Sequence, residues 1–289
     1  MNRTLLITGA NGGVSSALRA ALEGSDHDTR ALIRDEAKAA PLRTQGVQVV
    51  VGDLGDPGSL PPAFEGVQDL WLLVPNGPRA SENSMNAVWA ARQAGVERVV
   101  RLSAVGAALD APTRSGRLHA LSDHELQMSG MRWTILRPHW FMQNLLNEAG
   151  DVSARGAFSL NVGDGRLGMI DVRDIAEFAA RILTDGSQHH DGKIYTPTGP
   201  QSVSFVDVAE RLTRILGKPV DYLPVSDDIQ RKTLLEYGIP AWIVGMLVEY
   251  SQAYAAGWGD HTTSDFADVV GHAPRSVDDF IRDHVAAFS

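Results

Sequence analysis

The sequence has no cysteine, few aromatic residues and no long hydrophobic run. Without cysteine the chain can form no disulfide and no zinc-thiolate site, and it has no cysteine nucleophile. Its first apolar run, Leu5 to Ile7, is far too short for a signal peptide or a membrane span. These absences predict a cytoplasmic protein with no membrane partner.

Positive charge is also scarce, because 26 lysines and arginines stand against 35 aspartates and glutamates. The net charge of −9 argues against nucleic acid or an anionic membrane as the main partner. At 289 residues with 44% hydrophobic content, the chain suits one large α/β domain or a domain with a smaller lobe. We expect a small-molecule substrate, and a monomer or homodimer.

The sequence gives little support for a serine-hydrolase site or for a metal site built from histidines. No Gly-x-Ser-x-Gly elbow is present, which removes the simplest serine-hydrolase interpretation. His189, His190 and Asp191 resemble metal ligands, but adjacent histidines point in different directions and the segment lies between Gly186 and Gly192. A solvated loop without metal is therefore predicted there.

The most informative stretch is an apolar strand that breaks at a glycine turn and restarts as a helix. Leu5 to Ile7 suit a buried strand, and apolar residues recur at helical spacing over residues 14–22. Gly9 and Gly12 let the backbone turn tightly and approach a pyrophosphate, whose charge would rest against the N–H groups at the helix start. Ser15 replaces the usual third glycine, a mild departure. The pattern favours a dinucleotide-binding unit, with a turn that binds no ligand as the alternative.

The end of the second strand, Thr29 to Ile33, is the place where the ribose specificity of such units is set. An arginine here accommodates the 2′-phosphate of NADP, whereas an acidic residue binds the 2′-hydroxyl of NAD. Arg34 comes first after the strand, so NADP is predicted, while Asp35 leaves NAD possible. A solvated pair at a strand end is the other alternative.

Three further strands are predicted, over residues 47–51, 69–75 and 98–104. Ligands bind at the carboxyl ends of strands in an open parallel sheet, so the residues that follow each strand are candidate ligand contacts. Asp53 is predicted to accept a hydrogen bond from the adenine amino group, and Leu54 to pack on the ring. A helix-cap or turn aspartate is the alternative for Asp53.

Later segments alternate between the sheet and a second lobe. Gly163 to Gly165 indicate a hairpin-type turn. Helices are predicted over residues 86–94, 118–129, 172–183, 205–216, 229–237, 242–256 and 277–282, and strands over residues 132–136, 192–198 and 220–223.

Six segments together resemble the NmrA-like group of atypical short-chain dehydrogenases/reductases, which includes quinone oxidoreductases and triphenylmethane-dye reductases. They span the chain in the family's order, over residues 8–15, 31–35, 52–54, 101–104, 133–145 and 170–176. The resemblance implies a Rossmann-type doubly wound parallel sheet over residues 1–150. It also implies a smaller interleaved substrate lobe over residues 151–289, with about 165–199 returning to the sheet. The cofactor-binding residues expected are Gly9, Asn11, Gly12, Gly13, Val14, Arg34, Asp53, Leu54, Val74, Pro75, Ser103 and Pro138.

The catalytic pair of the wider superfamily, Tyr-x-x-x-Lys, is missing, since none of the five tyrosines has lysine four residues later. In its place stand His119 and, one helical turn on, Asp123. His119 is predicted to orient the ribose or protonate the product. The alternative is a local bond between His119 and Asp123 at a helix surface.

The resemblance and the missing pair together predict an NAD(P)H-dependent reductase. Its acceptor would be a flat apolar electrophile, such as a quinone, an iminium ion, a cationic dye or an activated carbonyl, because such acceptors need little help from an acid. An NADP-binding redox sensor or regulator without turnover is the alternative. The side chains expected at the substrate are Trp140, Phe141, Asn144, Trp242 and Met246, with core packing as their alternative role.

Overall fold

The computed structural model describes residues 3–289. The strands are β1 Arg3–Ile7, β2 His27–Ile33, β3 Gln48–Val51, β4 Asp69–Leu72, β5 Arg98–Leu102, β6 Arg132–Leu136, β7 Ala157–Phe158, β8 Arg166–Leu167, β9 Lys193–Tyr195, β10 Val203–Ser204 and β11 Asp221–Tyr222. The α-helices are α1 Gly13–Ala21, α2 Ala40–Thr44, α3 Pro61–Phe64, α4 Ala80–Ala94, α5 Arg114–Gln127, α6 Ala149–Arg155, α7 Val172–Thr184, α8 Phe205–Leu216, α9 Asp227–Glu236, α10 Ala241–Ala255, α11 Asp265–Val270, α12 Val277–Asp283 and α13 Val285–Phe288. Short 3₁₀ segments cover Glu36–Lys38, Pro57–Ser59 and Met142–Glu148.

The chain divides into two compact units that alternate along the sequence. The sheet unit comprises the residues up to Asp110, Ser115–Arg137 and Ile175–Tyr195. The lobe unit comprises Ala111–Arg114, Pro138–Asp174 and Thr196–Ser289. The separate cofactor and substrate roles expected for the two parts of the chain stay predictions.

The sheet unit contains a parallel sheet in the order β3-β2-β1-β4-β5-β6-β9. Every residue of β4 and β5 is buried, as expected for central strands covered by helices on both faces. Strand order reverses between β1 and β4, which is the switch point where such sheets bind ligands at their carboxyl ends. The predicted Rossmann-type α/β fold is confirmed.

Two helices, α4 and α5, begin earlier than the sequence predicts. α4 begins at Ala80 although the predicted start is Asn86, and α5 begins at Arg114 although the predicted start is Leu118. No side chain caps α4, and its polar first turn resembles a loop. The Ser81 hydroxyl donates to the Leu118 carbonyl at 3.1 Å, so a contact between the two helices supports a turn that local sequence does not specify.

The lobe unit has its own aromatic core, in which Phe158, Phe205 and Tyr222 pack with ring centroids 5.4 to 6.3 Å apart. The hairpin predicted at Gly163 to Gly165 is wrong. A turn forms at Gly163, but the strands on either side of it pair elsewhere, β8 with β10 and β7 with β11. A Cβ on Gly165 would lie 2.4 Å from the Tyr254 carbonyl oxygen, so the chain after the turn packs against α10 and not against β7.

Across residues 3–289, no helix is long and apolar enough to cross a membrane.

Candidate cofactor and active site

The glycine turn after β1 is held against the end of β4 by Thr8. The Thr8 hydroxyl donates to the Leu73 carbonyl at 2.8 Å and accepts from the Leu73 N–H at 2.8 Å. Gly9 has a φ of +59°, and a Cβ there would lie 2.7 Å from Leu73 Cδ2. Gly12 N–H donates back to the Gly9 carbonyl at 2.9 Å and closes the turn. The close approach of the two strand ends therefore requires glycine at position 9.

The start of α1 suits an anion. Gly12 provides no side-chain cap, and the first helical turn contains no acidic residue. Asn11, Gly12 and Gly13 are exposed, whereas Val14 is buried beneath them. The helix dipole and the N–H groups of the first turn thus face an accessible backbone surface. These residues fit the pyrophosphate of the predicted dinucleotide.

Ser15, at the position of the third glycine, is fully buried. Its hydroxyl donates to the Thr8 carbonyl at 3.1 Å and accepts from Trp71 Nε1 at 3.1 Å. The serine therefore links α1 to β1 and β4 by hydrogen bonds, where a glycine would allow only close packing.

At the end of β2, the two candidate ribose residues differ in their surroundings. Arg34 is exposed and has no ion-pair partner in the part of the chain that the structure describes. One oxygen of Asp35 accepts from the Ala37 N–H at 3.0 Å and caps the 3₁₀ turn that follows. Arg34 is thus available to a phosphate, while Asp35 already has a structural role.

The loop after β3 is held by side chains that sequence reasoning missed. Asp53 Oδ1 accepts from the Gly55 N–H at 2.8 Å, as in the alternative of a turn aspartate. Asn86 Nδ2 donates to the Leu54 carbonyl at 2.7 Å, and Arg79 Nη2 donates to the Gly55 carbonyl at 3.2 Å. Two polar side chains, Arg79 just before α4 and Asn86 within it, therefore support the loop predicted to receive adenine. The only signal in the sequence is that both residue types can donate hydrogen bonds.

The loop after β4 contains Val74, which is buried, and Pro75, which is exposed. The Ser115 hydroxyl donates to Asn76 Oδ1 at 3.1 Å. The first turn of α5 therefore fixes the loop that follows β4.

A buried charge network lies at the carboxyl end of β5. Asp123 is 1% exposed, and its Oδ1 accepts from Arg101 Nε at 2.8 Å. Its Oδ2 accepts from the Ser103 hydroxyl at 2.8 Å and from Arg137 Nε at 3.0 Å. His119 Nδ1 lies 3.4 Å from Arg101 Nη2. The alternative of a local pair between His119 and Asp123 at a helix surface is wrong, because both oxygens of Asp123 face buried partners.

This network leaves two polar side chains that present no acidic proton. Burial, followed by the charge of Arg101, lowers the pKa of His119 to about 3, although Asp123 opposes the shift. The imidazole is therefore neutral near pH 7. The hydroxyl proton of Ser103 points at Asp123, so its lone pairs face away from the carboxylate. Both groups can position a ligand by hydrogen bonds, but neither is suited to protonate one.

The signal for this network is an arginine inside an apolar strand. Arg101 is 2% exposed, and a fully buried guanidinium requires a carboxylate partner. Sequence alone shows that requirement but does not reveal that the partner is Asp123.

The predicted residues 138–144 belong to the lobe unit, and His139 fixes their path. Trp140 N–H donates to His139 Nδ1 at 2.7 Å, so the ring proton resides on Nε2, which donates to the Gly259 carbonyl at 2.9 Å. Burial and the neighbouring His261 lower the pKa of His139 to about 3, which keeps this tautomer neutral. Pro138 is buried beside it.

The two aromatic residues that follow have different surroundings. Trp140 is half-buried and meets Phe205 edge-on at 5.6 Å, at the border of the lobe core. Phe141 is half-buried and forms a β-bridge with Ile170, but its ring does not join that core. Asn144 is exposed.

The candidates on α10 are partly occupied by other contacts. The Arg114 guanidinium lies 5.7 Å above the Trp242 ring, and its Nε donates to Glu249 Oε1 at 2.9 Å. Met246 is 5% exposed. Met246 is therefore buried, in keeping with its alternative role in core packing, whereas Trp242 is half-buried with Arg114 above its ring.

The segment predicted as a solvated loop is solvated only in part. His189 is exposed, but His190 is buried, with Nδ1 2.9 Å from the Tyr195 hydroxyl and Nε2 3.2 Å from Asp185. Residues 3–289 contain no group of three or more His, Asp or Glu side chains arranged to hold a metal ion.

Comparison with known proteins agrees with this geometry. Residues 9–186 match the NAD(P)H-binding family. An NAD(P)H azoreductase from Xenophilus azovorans is 34% identical over 288 residues, covering 98% of this chain and 99% of the relative. Quinone oxidoreductase 2 of Escherichia coli is 30% identical over 244 residues, covering 84% of each chain.

Solved structures show the same fold. The Escherichia coli NADPH-dependent quinone oxidoreductase in complex with NADPH superimposes with a TM-score of 0.87 at 27% identity, covering 98% of this chain and 99% of that one. NmrA, a negative transcriptional regulator solved with NAD, has a TM-score of 0.78 at 16% identity over 98% of this chain and 95% of its own, a likeness of fold alone. The chain therefore belongs to the NAD(P)H-binding family and is an NAD(P)H-dependent oxidoreductase.

Proposed function

We propose that this protein reduces a flat, largely apolar electrophile, such as a quinone, an azo dye or a cationic dye, with NADPH as hydride donor. The observation that carries the proposal is the network around Asp123, which leaves neutral His119 and hydrogen-bonded Ser103 at the carboxyl end of the sheet. The names of its relatives, an azoreductase and a quinone oxidoreductase, support the same substrate class.

The lack of an acid selects the acceptor. Hydride addition to a plain ketone leaves an alkoxide, which needs a proton or strong hydrogen-bond donors from the protein. Hydride addition to a quinone gives a delocalised anion that takes its proton from water, and addition to a cationic dye gives a neutral product. When bound, the reduced nicotinamide supplies the hydride, and the protein supplies position and electrostatics.

The residues of the chain bind the cofactor and position the substrate. The glycine turn and the start of α1 bind the pyrophosphate, and exposed Arg34 favours the 2′-phosphate of NADPH over the hydroxyl of NADH. Ser103, oriented by Asp123, offers its lone pairs to a donor on the cofactor or substrate. We propose that Phe141 contacts the substrate, since its ring is half-buried and lies outside the lobe core.

A panel of acceptors tests the proposal. Purified protein is mixed with NADPH and with a cationic triarylmethane dye, a quinone, an azo dye or an unactivated ketone, and the nicotinamide absorbance is followed. We expect dye and quinone to react at least about 100-fold faster than the ketone, the lower range of what a general acid contributes. Comparable rates for ketone and dye would contradict the proposal. NADPH binding without oxidation by any acceptor would favour a sensor.

A further inference from the structure

We infer that Arg19 is a cofactor-binding residue, which acts on the pyrophosphate shared by NADPH and NADH by placing a positive charge beside it. The inference rests on the NAD(P)H binding of the family and not on the identity of the acceptor.

The first observation is the position of the guanidinium. Arg19 lies in α1, and helical side chains lean toward the helix N-terminus, so its charge returns to the level of the first turn. Its Nη1 donates to the carbonyl of Ala10, which lies within the turn between Gly9 and Gly12. Its Nη2 donates to the Ser16 hydroxyl at 3.3 Å. Arg19 thus holds the turn from the helix side, while Thr8 holds it from the strand side.

The second observation is the missing counter-charge. Arg98 and Arg101, the buried arginines of the sheet unit, are each paired with a carboxylate at 2.8 Å. Half-buried Arg19 has no carboxylate partner in the described chain, and its Nε is buried without a hydrogen-bond partner. Partial burial accordingly lowers its pKa.

An unpaired, half-buried cation is unfavourable unless a ligand supplies the negative charge. The start of α1 also lacks an acidic residue. The helix dipole, the turn N–H groups and Arg19 therefore all favour an anion at one place. A pyrophosphate diester carries two negative charges and supplies what this place lacks.

The role of Arg19 differs from that expected of Arg34 in one measurable respect. Only NADP carries the 2′-phosphate that Arg34 would contact, whereas both dinucleotides carry the pyrophosphate. Loss of Arg19 should therefore weaken both cofactors equally, and loss of Arg34 should weaken NADP alone. Arg34→Ala is the matched control.

The experiment titrates NADP⁺, NAD⁺ and ADP into wild type, Arg19→Gln, Arg19→Lys and Arg34→Ala by calorimetry, at low and high NaCl. The glutamine amide can still donate to the Ala10 carbonyl but carries no charge. We expect Arg19→Gln to weaken all three ligands by about 10- to 100-fold, the range of one charge-assisted contact. Arg19→Lys should recover most of the affinity. The salt dependence of NAD⁺ binding should be shallower in Arg19→Gln than in wild type.

Three outcomes would overturn the inference. The first is unchanged affinity in Arg19→Gln. The second is a loss confined to NADP⁺, which would make Arg19 a 2′-phosphate residue. The third is an equal loss in the glutamine and lysine variants with an unchanged salt dependence and a lower unfolding midpoint, which would assign Arg19 to the fold of the turn. Because no electron acceptor is present, failure of the proposed substrate class would not alter these titrations.

Discussion

A histidine beside two arginines has different chemistry from a histidine paired with a carboxylate. His119 takes the place expected for the catalytic tyrosine, but the charges of Arg101 and Arg137 disfavour its imidazolium form, and both arginines are hydrogen-bonded to Asp123. Both carboxylate oxygens of Asp123 accept hydrogen bonds from those arginines and from Ser103. His119 and Ser103 are therefore neutral hydrogen-bonding groups held by a buried ion-pair network, and neither is a proton donor.

This environment leads to a prediction for His119→Ala. Because the pKa of His119 is lowered to about 3, its titration lies below the working range, and the rate with a cationic dye should show no limb near the ordinary histidine value of about 6.5. We expect less than about a tenfold loss in kcat/KM, well short of the 10²–10⁴ typical of a general acid. Steady-state rates between pH 5 and 9 measure both quantities.

His124→Ala is the control, since His124 is exposed on the same helix. A loss beyond about 100-fold in His119→Ala with both a dye and a quinone, together with disappearance of a limb near pH 6.5, would make His119 the catalytic acid.

The role of a residue can be predicted from the sequence where the local backbone conformation requires that residue type. It cannot be predicted where the role depends on a side chain distant in sequence. Gly9 is recognisable because a positive φ and a close strand approach exclude other residues. The hydrogen bond from Trp71 to Ser15 is not recognisable, because the two residues are 56 positions apart. The partners of Arg101 are hidden for the same reason.

The boundaries of helices and strands can likewise be predicted where local sequence signals fix them, and not where distant contacts do. α8 runs over the predicted residues because Ser204 and Asp207 form a capping box and Gly217 ends the helix, all visible in the sequence. α4 has no such start, and its first turn depends on α5. The hairpin at Gly163 fails because strand partners are chosen by the whole lobe and not by the turn.

The segment after β6 allows a paired prediction. Phe141 lies outside the lobe core, so Phe141→Ala should raise the substrate KM about tenfold, as expected for loss of a substrate contact of 1–3 kcal/mol, with NADPH affinity unchanged. Trp140 packs on Phe205, so Trp140→Ala should instead lower the free energy of unfolding by about 2 kcal/mol. Kinetics, NADPH titration and urea unfolding on both variants separate the two roles.

The reverse pattern, with a stable Trp140→Ala enzyme of poor KM and an unaffected Phe141→Ala enzyme, would exchange the assignments.

Two carboxylates, buried Asp69 and half-buried Glu148, change the stability of the protein with pH in opposite directions. Although burial opposes the shift, the His27 imidazole, whose Nε2 lies 3.4 Å from Oδ2, and hydrogen bonds from Arg3 and Arg98 lower the pKa of Asp69. Its contribution to stability is present above the unfolded pKa and is lost as pH falls below it. Within residues 3–289, Glu148 accepts no hydrogen bond from a basic side chain. Burial and the nearby charge of Asp151 raise its pKa to about 7, although Arg155 opposes the shift.

Glu148 should therefore make the protein less stable as pH rises. Between about pH 4.5 and 7 the unfolded chain has lost this proton while the folded chain keeps it, so deprotonation favours unfolding. Above pH 7 the folded protein holds a poorly solvated carboxylate. Glu148→Gln mimics the protonated form, and it should raise the free energy of unfolding by about 2–3 kcal/mol at pH 8 and by little at pH 4.5.

Urea unfolding of wild type and Glu148→Gln at the two pH values tests this, with Glu210→Gln as the control because Glu210 is exposed in the same unit. The decisive quantity is the difference between the gains at the two pH values, since it isolates ionisation from any change in packing. An equal gain at pH 4.5 and pH 8, or an equal pH-dependent gain in Glu210→Gln, would show that ionisation of Glu148 does not limit the stability of the lobe unit.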